Sequence, residues 1–249
     1  MTDSFAASPS SYWRLSRAPR YSLLFALPLL VFYQVLAVLE SGGTRVVRNG
    51  ADVILQSLFV AVAGSWGPLL FMVVLIVVGL WLVARDRRTH GARLRTAVFG
   101  GMLAESILLA LFFGVVVGGV TRGVLRLVHP LAVPSGRELD WWTRLMLSLG
   151  AGLYEELLFR VLLVGALAAA ARALLGWRAV TAGVAAAVLG AAVFSAFHYL
   201  GPYGDHLELY SFVFRMVAGL FFSGLYLARG FGITAWTHAL YDVSLLLMQ

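Results

Sequence analysis

Apolar runs of membrane-spanning length recur along the chain, separated by short polar stretches in which arginine is frequent. Uncharged segments at 21–39 (YSLLFALPLLVFYQVLAVL) and 65–84 (SWGPLLFMVVLIVVGLWLVA) have the length of about 20 residues that a transmembrane helix needs. Further apolar segments at 96–120, interrupted by Glu105, and at 145–171, 178–200, 209–228 and 231–248 raise the expectation to about seven helices. The run at 53–63 (VILQSLFVAVA) is short for a span, so it lies in the interface or re-enters; it makes an eighth helix if it spans or re-enters. The pattern predicts an all-α, polytopic membrane protein.

Arginine placement orients these spans. Arg14, Arg17 and Arg20 precede the first, and Arg85, Arg87, Arg88, Arg93 and Arg95 crowd the loop after the second, which puts both segments and the N-terminus on the cytoplasmic side. Counting 53–63 as a full span would move one of the two clusters outside. Residues 1–20 then read as a cytoplasmic tail, and 21–249 as one integral membrane domain with its catalytic core at about 145–249. Trp141 and Trp142 fit an interfacial aromatic belt, and Pro130, Pro134 and Gly136 mark an irregular loop before them.

Composition agrees with the pattern. At 61% hydrophobic, 12% charged and a mean hydropathy of +0.88, the chain is outside the range of soluble globular domains. The formal charge of +7 comes from arginine alone and reports orientation and contact with the lipid bilayer, with no nucleic acid as partner. With no cysteine, disulfides, a thiol nucleophile and thiolate metal sites are excluded, leaving oxygen and imidazole chemistry.

The stretch YEELLFR, 154–160, is the sharpest exception to the apolar pattern. An ionised side chain at mid-span costs about 2.5 to 3.5 kcal/mol on insertion scales, against about 0.3 to 0.6 returned by each Leu or Val. Glu156 and Arg160, four apart with the acid first, relieve one another as a structural ion pair. Glu155 lies about 100° round an α-helix from Glu156 and gains no such partner. Two more segments carry polar residues able to meet it: FSAFHYL, with Phe194 and His198 four apart, and THALYD, with His238 and Asp242 four apart on one stripe.

Two histidines and a carboxylate converging on an unpaired glutamate suit peptide-bond hydrolysis. The glutamate takes a proton from water while imidazoles polarise the carbonyl or hold its oxyanion. The same set, His198, His238, Asp242 and Glu155, are equally candidates to bind zinc, and spacing does not choose between no cofactor and one divalent metal. Counting residues places His198 near the outer end of its span, Glu155 near the middle and His238 about 10 Å from the inner end. Glu105 and Arg215 read as cavity-lining or paired between helices, His206 as a loop residue, and Gly219 and Gly224 as sites of close helix packing. Ser195 is not read as a nucleophile, because that would leave Glu155 and His238 without purpose.

These segments resemble the CAAX protease and bacteriocin-processing family of intramembrane proteases (CPBP or Abi), which includes the CAAX prenyl endopeptidases. The family pattern of Glu-Glu-x-x-x-Arg, Phe-x-x-x-His and His-x-x-x-Asn/Asp is matched in order by Glu155 to Arg160, Phe194 to His198 and His238 to Asp242. The stretch AGLFFSGLYLARGFGITAWTHALYD also looks like the family's Gly-x-x-x-x-Gly-x-Tyr segment, so the resemblance covers about 145–249. It implies an intramembrane endopeptidase of a bacterial or archaeal-type cell membrane, acting on a membrane-associated or lipidated protein or peptide. In this reading Glu155 is the water-activating base, His198 and His238 are the carbonyl or oxyanion partners, Glu156 and Arg160 are the structural pair, and Phe194 packs at the site. The CAAX prenyl proteases resemble this pattern with Asn at the last position; here Asp242 stands, and an ionised aspartate offers no N–H. Other readings are a proton-coupled transporter, for which the chain lacks repeated halves, and a non-catalytic scaffold or immunity protein of the same fold.

Overall fold

A computed structural model describes residues 9–40, 47–90, 93–125, 139–201 and 204–248. The expected irregular loop with Pro130, Pro134 and Gly136 lies outside the described residues, as does the start of the N-terminal tail. Helices are α1 (Pro9–Ser16), α2 (Pro19–Glu40), α3 (Gly50–Ala63), α4 (Gly67–His90), α5 (Thr96–Val124), α6 (Trp141–Gly150), α7 (Gly165–Leu175), α8 (Ala179–Phe197), α9 (Leu209–Arg229) and α10 (Phe231–Leu247). The chain is an all-α polytopic membrane protein. Six helical segments are long and apolar enough to cross a bilayer, and α10, with 17 residues, adds a further apolar helix.

One end of the bundle is bound together by arginines. Arg20 pairs with Asp86 at 3.4 Å, joining the start of α2 to the end of α4, and Arg17 donates to the Leu227 carbonyl at 3.1 Å near the end of α9. Arg229 meets Glu105 at 2.5 Å and Ser16 at 2.9 Å, so the ends of α9 and α1 close on the first third of α5. Glu105 thus pairs between helices. At the same end, the Gly232 N–H donates to Ser22 Oγ at 2.7 Å, and a Cβ on Gly232 would lie 2.5 Å from the Ser22 carbonyl oxygen. Glycine is required by that approach, and it starts α10 about one turn inside the start of α2. Opposite to this lies the end marked by Glu40, Thr143, His198 and Asp205.

Residues 50–90 are not one long helix. In a straight helix Phe59 and Phe71 would stand about 18 Å apart at 1.5 Å per residue, yet their ring centroids are 5.5 Å apart. Gly64, at φ 55°, reverses the chain, and Gly67 packs so closely on Val60 that a Cβ would lie 2.5 Å from its backbone nitrogen. The segment 53–63 therefore belongs to a helical hairpin. Its N-terminal residue Asn49 donates its backbone N–H to the Tyr33 hydroxyl, about 10 Å short of the end of α2 at 1.5 Å per residue, so the chain re-enters.

Trp141–Leu175 is one continuous helix of 35 residues. Asp140 starts it, accepting from the N–H groups of Trp142 and Thr143 at 2.9 and 3.1 Å. The Thr143 hydroxyl and N–H hold this exposed carboxyl below the usual carboxylate range. In the middle of the helix, Ala151–Val164 widens into π-helical turns. Such turns are uncommon and recur at functional sites. Here they hold the entire YEELLFR stretch.

Candidate active site

Three helices bring the polar exceptions of the sequence together. The wide turns of Ala151–Val164 supply Glu155, Glu156 and Arg160; α8 supplies Phe194 and, as its C-terminal cap, His198; α10 supplies His238 and Asp242. Gly152 permits the contact with α10, because a Cβ there would meet the Ala235 carbonyl oxygen at 2.3 Å and the Ala239 Cβ at 2.6 Å.

Glu156 is fully buried and has two partners. Its Oε2 lies 3.1 Å from Arg160 Nε, the i to i+4 pair expected, and its Oε1 accepts from His238 Nδ1 at 2.7 Å. Arg160 in turn lies over the Phe194 ring at 4.3 Å and the Phe222 ring at 5.5 Å, so aromatic faces complete the environment of its charge. Phe222 also stacks on His238 at 4.4 Å. The pair thus also fixes the imidazole of His238, with Nδ1 as donor to Glu156 and Nε2 3.7 Å from Asp242 Oδ2.

Glu155 is held differently. Its Oε1 accepts from Asn49 Nδ2 at 2.9 Å, while Oε2, buried, has no hydrogen-bond partner among the described residues. That free oxygen faces His198 Nε2 at 3.9 Å, beyond hydrogen-bond range. His198 donates from Nδ1 to the Phe194 carbonyl at 2.9 Å, so in the neutral ring Nε2 carries the lone pair. Phe194 separates the two imidazoles, with ring centroids 4.9 Å from His198 and 6.4 Å from His238. Buried polar atoms normally have partners. An unpartnered carboxylate oxygen opposite an imidazole lone pair is therefore a site for a group that can donate to both.

Asn49 apart, the residues bearing this geometry lie within 137–244, the part of the chain that matches the family model of the Type II CAAX prenyl endopeptidase Rce1-like domain. The chain carries a CAAX protease family domain. No curated protein and no solved structure matches the chain. At the family level this match supports an intramembrane protease.

Glu155 and its neighbours are also supported from outside the matched residues, by side chains to which the sequence assigned no role. Asn49 caps α3, accepting from the Ala51 N–H at 2.9 Å, as its amide nitrogen reaches Glu155. Asp52, wholly buried, accepts from Tyr33 at 2.8 Å, Arg48 at 2.8 Å and Gln56 at 2.7 Å and anchors that cap to α2. Gln34 donates to the Tyr154 hydroxyl at 2.7 Å, next to Glu155. The polar run Arg48-Asn49-Gly50-Ala51-Asp52 between apolar segments was the available signal. Other residues stand apart: Arg215 pairs with Asp205, and Ser195 is buried and donates to the Phe212 carbonyl at 2.7 Å. Gly219 does permit close packing, with a Cβ 3.0 Å from Ala191, whereas a Cβ on Gly224 would meet nothing within 4 Å.

Among the described residues no three His, Asp or Glu side chains converge on a point where a metal could sit. Nδ1 of His238 donates to Glu156 and Nδ1 of His198 to a carbonyl, which leaves Nε2 of each imidazole and Oε2 of Glu155 free, an arrangement that metal-bound imidazoles share.

Proposed function

We propose that the protein is an endopeptidase that hydrolyses a peptide bond of a membrane-associated polypeptide with water activated by Glu155. The observation that carries this reading is the asymmetry of the Glu155 carboxylate, one oxygen held by Asn49 and the other buried, unpartnered and 3.9 Å from His198. A water donating to that free oxygen loses its proton to Glu155 as its oxygen attacks the carbonyl carbon. The carbonyl oxygen gains negative charge beside His238, which stabilises it by donation from Nε2 in its protonated form, while the Nε2 lone pair of His198 accepts a hydrogen bond from the second hydrogen of the water. Collapse of the tetrahedral species breaks the C–N bond, and the proton on Glu155 passes to the departing amine, so one water is consumed and the base is restored.

Glu156 and Arg160 hold His238 in this scheme and take no part in proton transfer. Asp242, within reach of His238 Nε2, favours the charged imidazole by its own negative charge. No metal enters the scheme.

Reconstituted protein presented with a library of membrane-tethered peptides, read by mass spectrometry, tests the reading. The parent is expected to generate new termini that Glu155→Gln does not. Identical products from both would sink it.

A further inference from the structure

We propose that Tyr33 and Asp52, which precede the matched family domain at 137–244, are positioning residues for the base: through Asn49 they fix which oxygen of Glu155 is held and which is left for water. This deepens the proteolytic reading above and rests on it. Two observations carry it. The hydrogen bonds that hold Asn49 leave its amide one direction in which to point, and the helix that carries Glu155 packs directly on Tyr33 and Asn49.

The partners of Asn49 determine its orientation. Oδ1 accepts from the Ala51 N–H at 2.9 Å, so Nδ2 is the atom that faces Glu155, donating to Oε1 at 2.9 Å. The backbone N–H of Asn49 donates to the Tyr33 hydroxyl at 3.2 Å. That hydroxyl gives its own hydrogen to Asp52 Oδ2 at 2.8 Å, which turns its lone pairs toward Asn49. Asp52 is held in turn by Arg48 on the same oxygen at 2.8 Å and by Gln56 on the other at 2.7 Å. An unbroken series of contacts therefore runs from Asp52 through Tyr33 and Asn49 to Glu155.

Packing closes the same link from the other side. Gly150 stands on the continuous helix that carries Glu155, and a Cβ there would lie 2.5 Å from the Tyr33 ring and 2.9 Å from the Asn49 Cβ. Tyr154, next to Glu155, meets Tyr33 edge-on with ring centroids 5.0 Å apart. Tyr33 is thus a wedge between α2, the cap of α3 and the wide turns of Ala151–Val164. Tyr33 and Asp52 are fully buried, so neither touches a substrate, and what they do to catalysis passes through Asn49. The last torsion of a glutamate is soft. Pinned by Asn49, the carboxylate presents Oε2 to His198 Nε2; released, it rotates and exchanges its oxygens, so that a smaller fraction of molecules holds a free oxygen where water must donate.

A double-mutant cycle of Tyr33→Phe and Asn49→Ser tests this, with kcat and KM measured in liposomes at equal folded fraction on a membrane-tethered peptide that the parent cleaves. Tyr33→Phe is expected to lower kcat by up to about tenfold, the equivalent of one hydrogen bond. KM should stay within about twofold, because no contact with substrate is lost. On the Asn49→Ser background the same change should lower kcat no further, since the link it acts through is already broken. Tyr21→Phe is the matched control: Tyr21 is also fully buried and its hydroxyl accepts a backbone N–H, that of Arg95 at 2.9 Å, at the arginine-bound end. It should lower the melting temperature and leave kcat unchanged on both backgrounds. Asp52→Asn breaks the series at its other end and should repeat the pattern of Tyr33→Phe. Parental kcat in Tyr33→Phe, or an equal fold loss with and without Asn49, overturns the inference and leaves the protease reading intact. Failure of both Tyr33→Phe and Asp52→Asn to fold assigns the two residues to the fold alone and overturns it as well. Cleavage that persists undiminished in Glu155→Gln overturns the protease reading itself, whatever the cycle gives.

Discussion

Glu155 does not sit in an apolar pocket awaiting a partner; it is half-anchored, and the anchor is an amide from a different part of the chain. Asn49 has two tasks that substitution can separate. Asn49→Ser keeps an oxygen to cap α3 but loses the donor to Glu155, a charge-assisted bond worth about 1.5 to 3 kcal/mol. The expected result is a kcat lower by about tenfold or more with an unchanged melting temperature, whereas Asn49→Ala also loses the cap and about 1 kcal/mol of stability. Equal stability and full activity in both variants would remove Asn49 from the site. Glu156→Gln and Arg160→Leu each strand a buried charge, at about 3 to 5 kcal/mol. Both should lower folded yield and melting temperature in detergent as well as activity; well-folded, inactive variants would instead place the pair in the chemistry. Asp242, at 3.7 Å from His238 and partly exposed, is expected to tolerate Asn with activity within about tenfold of the parent, since the amide contributes an N–H that aspartate lacks. Chelators should leave both forms active, and a stoichiometric metal lost with activity in Asp242→Asn would refute the metal-free scheme.

At the scale of elements, the crossing of the π-helical stretch over α10 sets the distance between Glu156 and His238. Gly152→Ala would place a methyl 2.3 Å from the Ala235 carbonyl, an atom that cannot rotate away. Overpacking of this kind costs about 1 to 3 kcal/mol, and the displacement of α10 should lower kcat along with the melting temperature. Gly165→Ala, where a Cβ meets nothing within 4 Å, is the matched control and should be neutral or slightly stabilising. The same elements show what was legible beforehand. Hydropathy located the spans because each is long and nearly uncharged, and the i to i+4 pairs of Glu156 with Arg160 and of His238 with Asp242 follow from local geometry. The link from Glu156 to His238 was not visible, since 82 residues separate them. Nor was Asn49, which reaches Glu155 only because Gly64 reverses the chain and Asp52 ties the re-entrant hairpin to Tyr33. Residue counting put the two histidines at different depths; α10 begins about a turn inside α2, and the side chains of Glu155 and Glu156 bridge what remains.

The whole molecule is a lipid-facing shell around a small polar centre. Large apolar side chains such as Val62, Leu174 and Val180 are 78% to 85% exposed, as a bilayer surface requires, and Trp141 and Trp142 face outward at the end where Asp140 caps the long helix. Within this shell Glu156 Oε2 lies 3.1 Å from Arg160 and Oε1 accepts from His238, while Oε2 of Glu155, buried, makes no hydrogen bond to the described residues. In the proposed mechanism that atom is the base. The most direct measurement is kcat/KM for Glu155→Gln against the parent, at equal folded fraction in the same liposomes and with the same cleaved peptide. Loss of a general base predicts a fall of at least about a hundredfold, with a melting temperature close to that of the parent. Activity within a few-fold of the parent in a well-folded Glu155→Gln protein would contradict it.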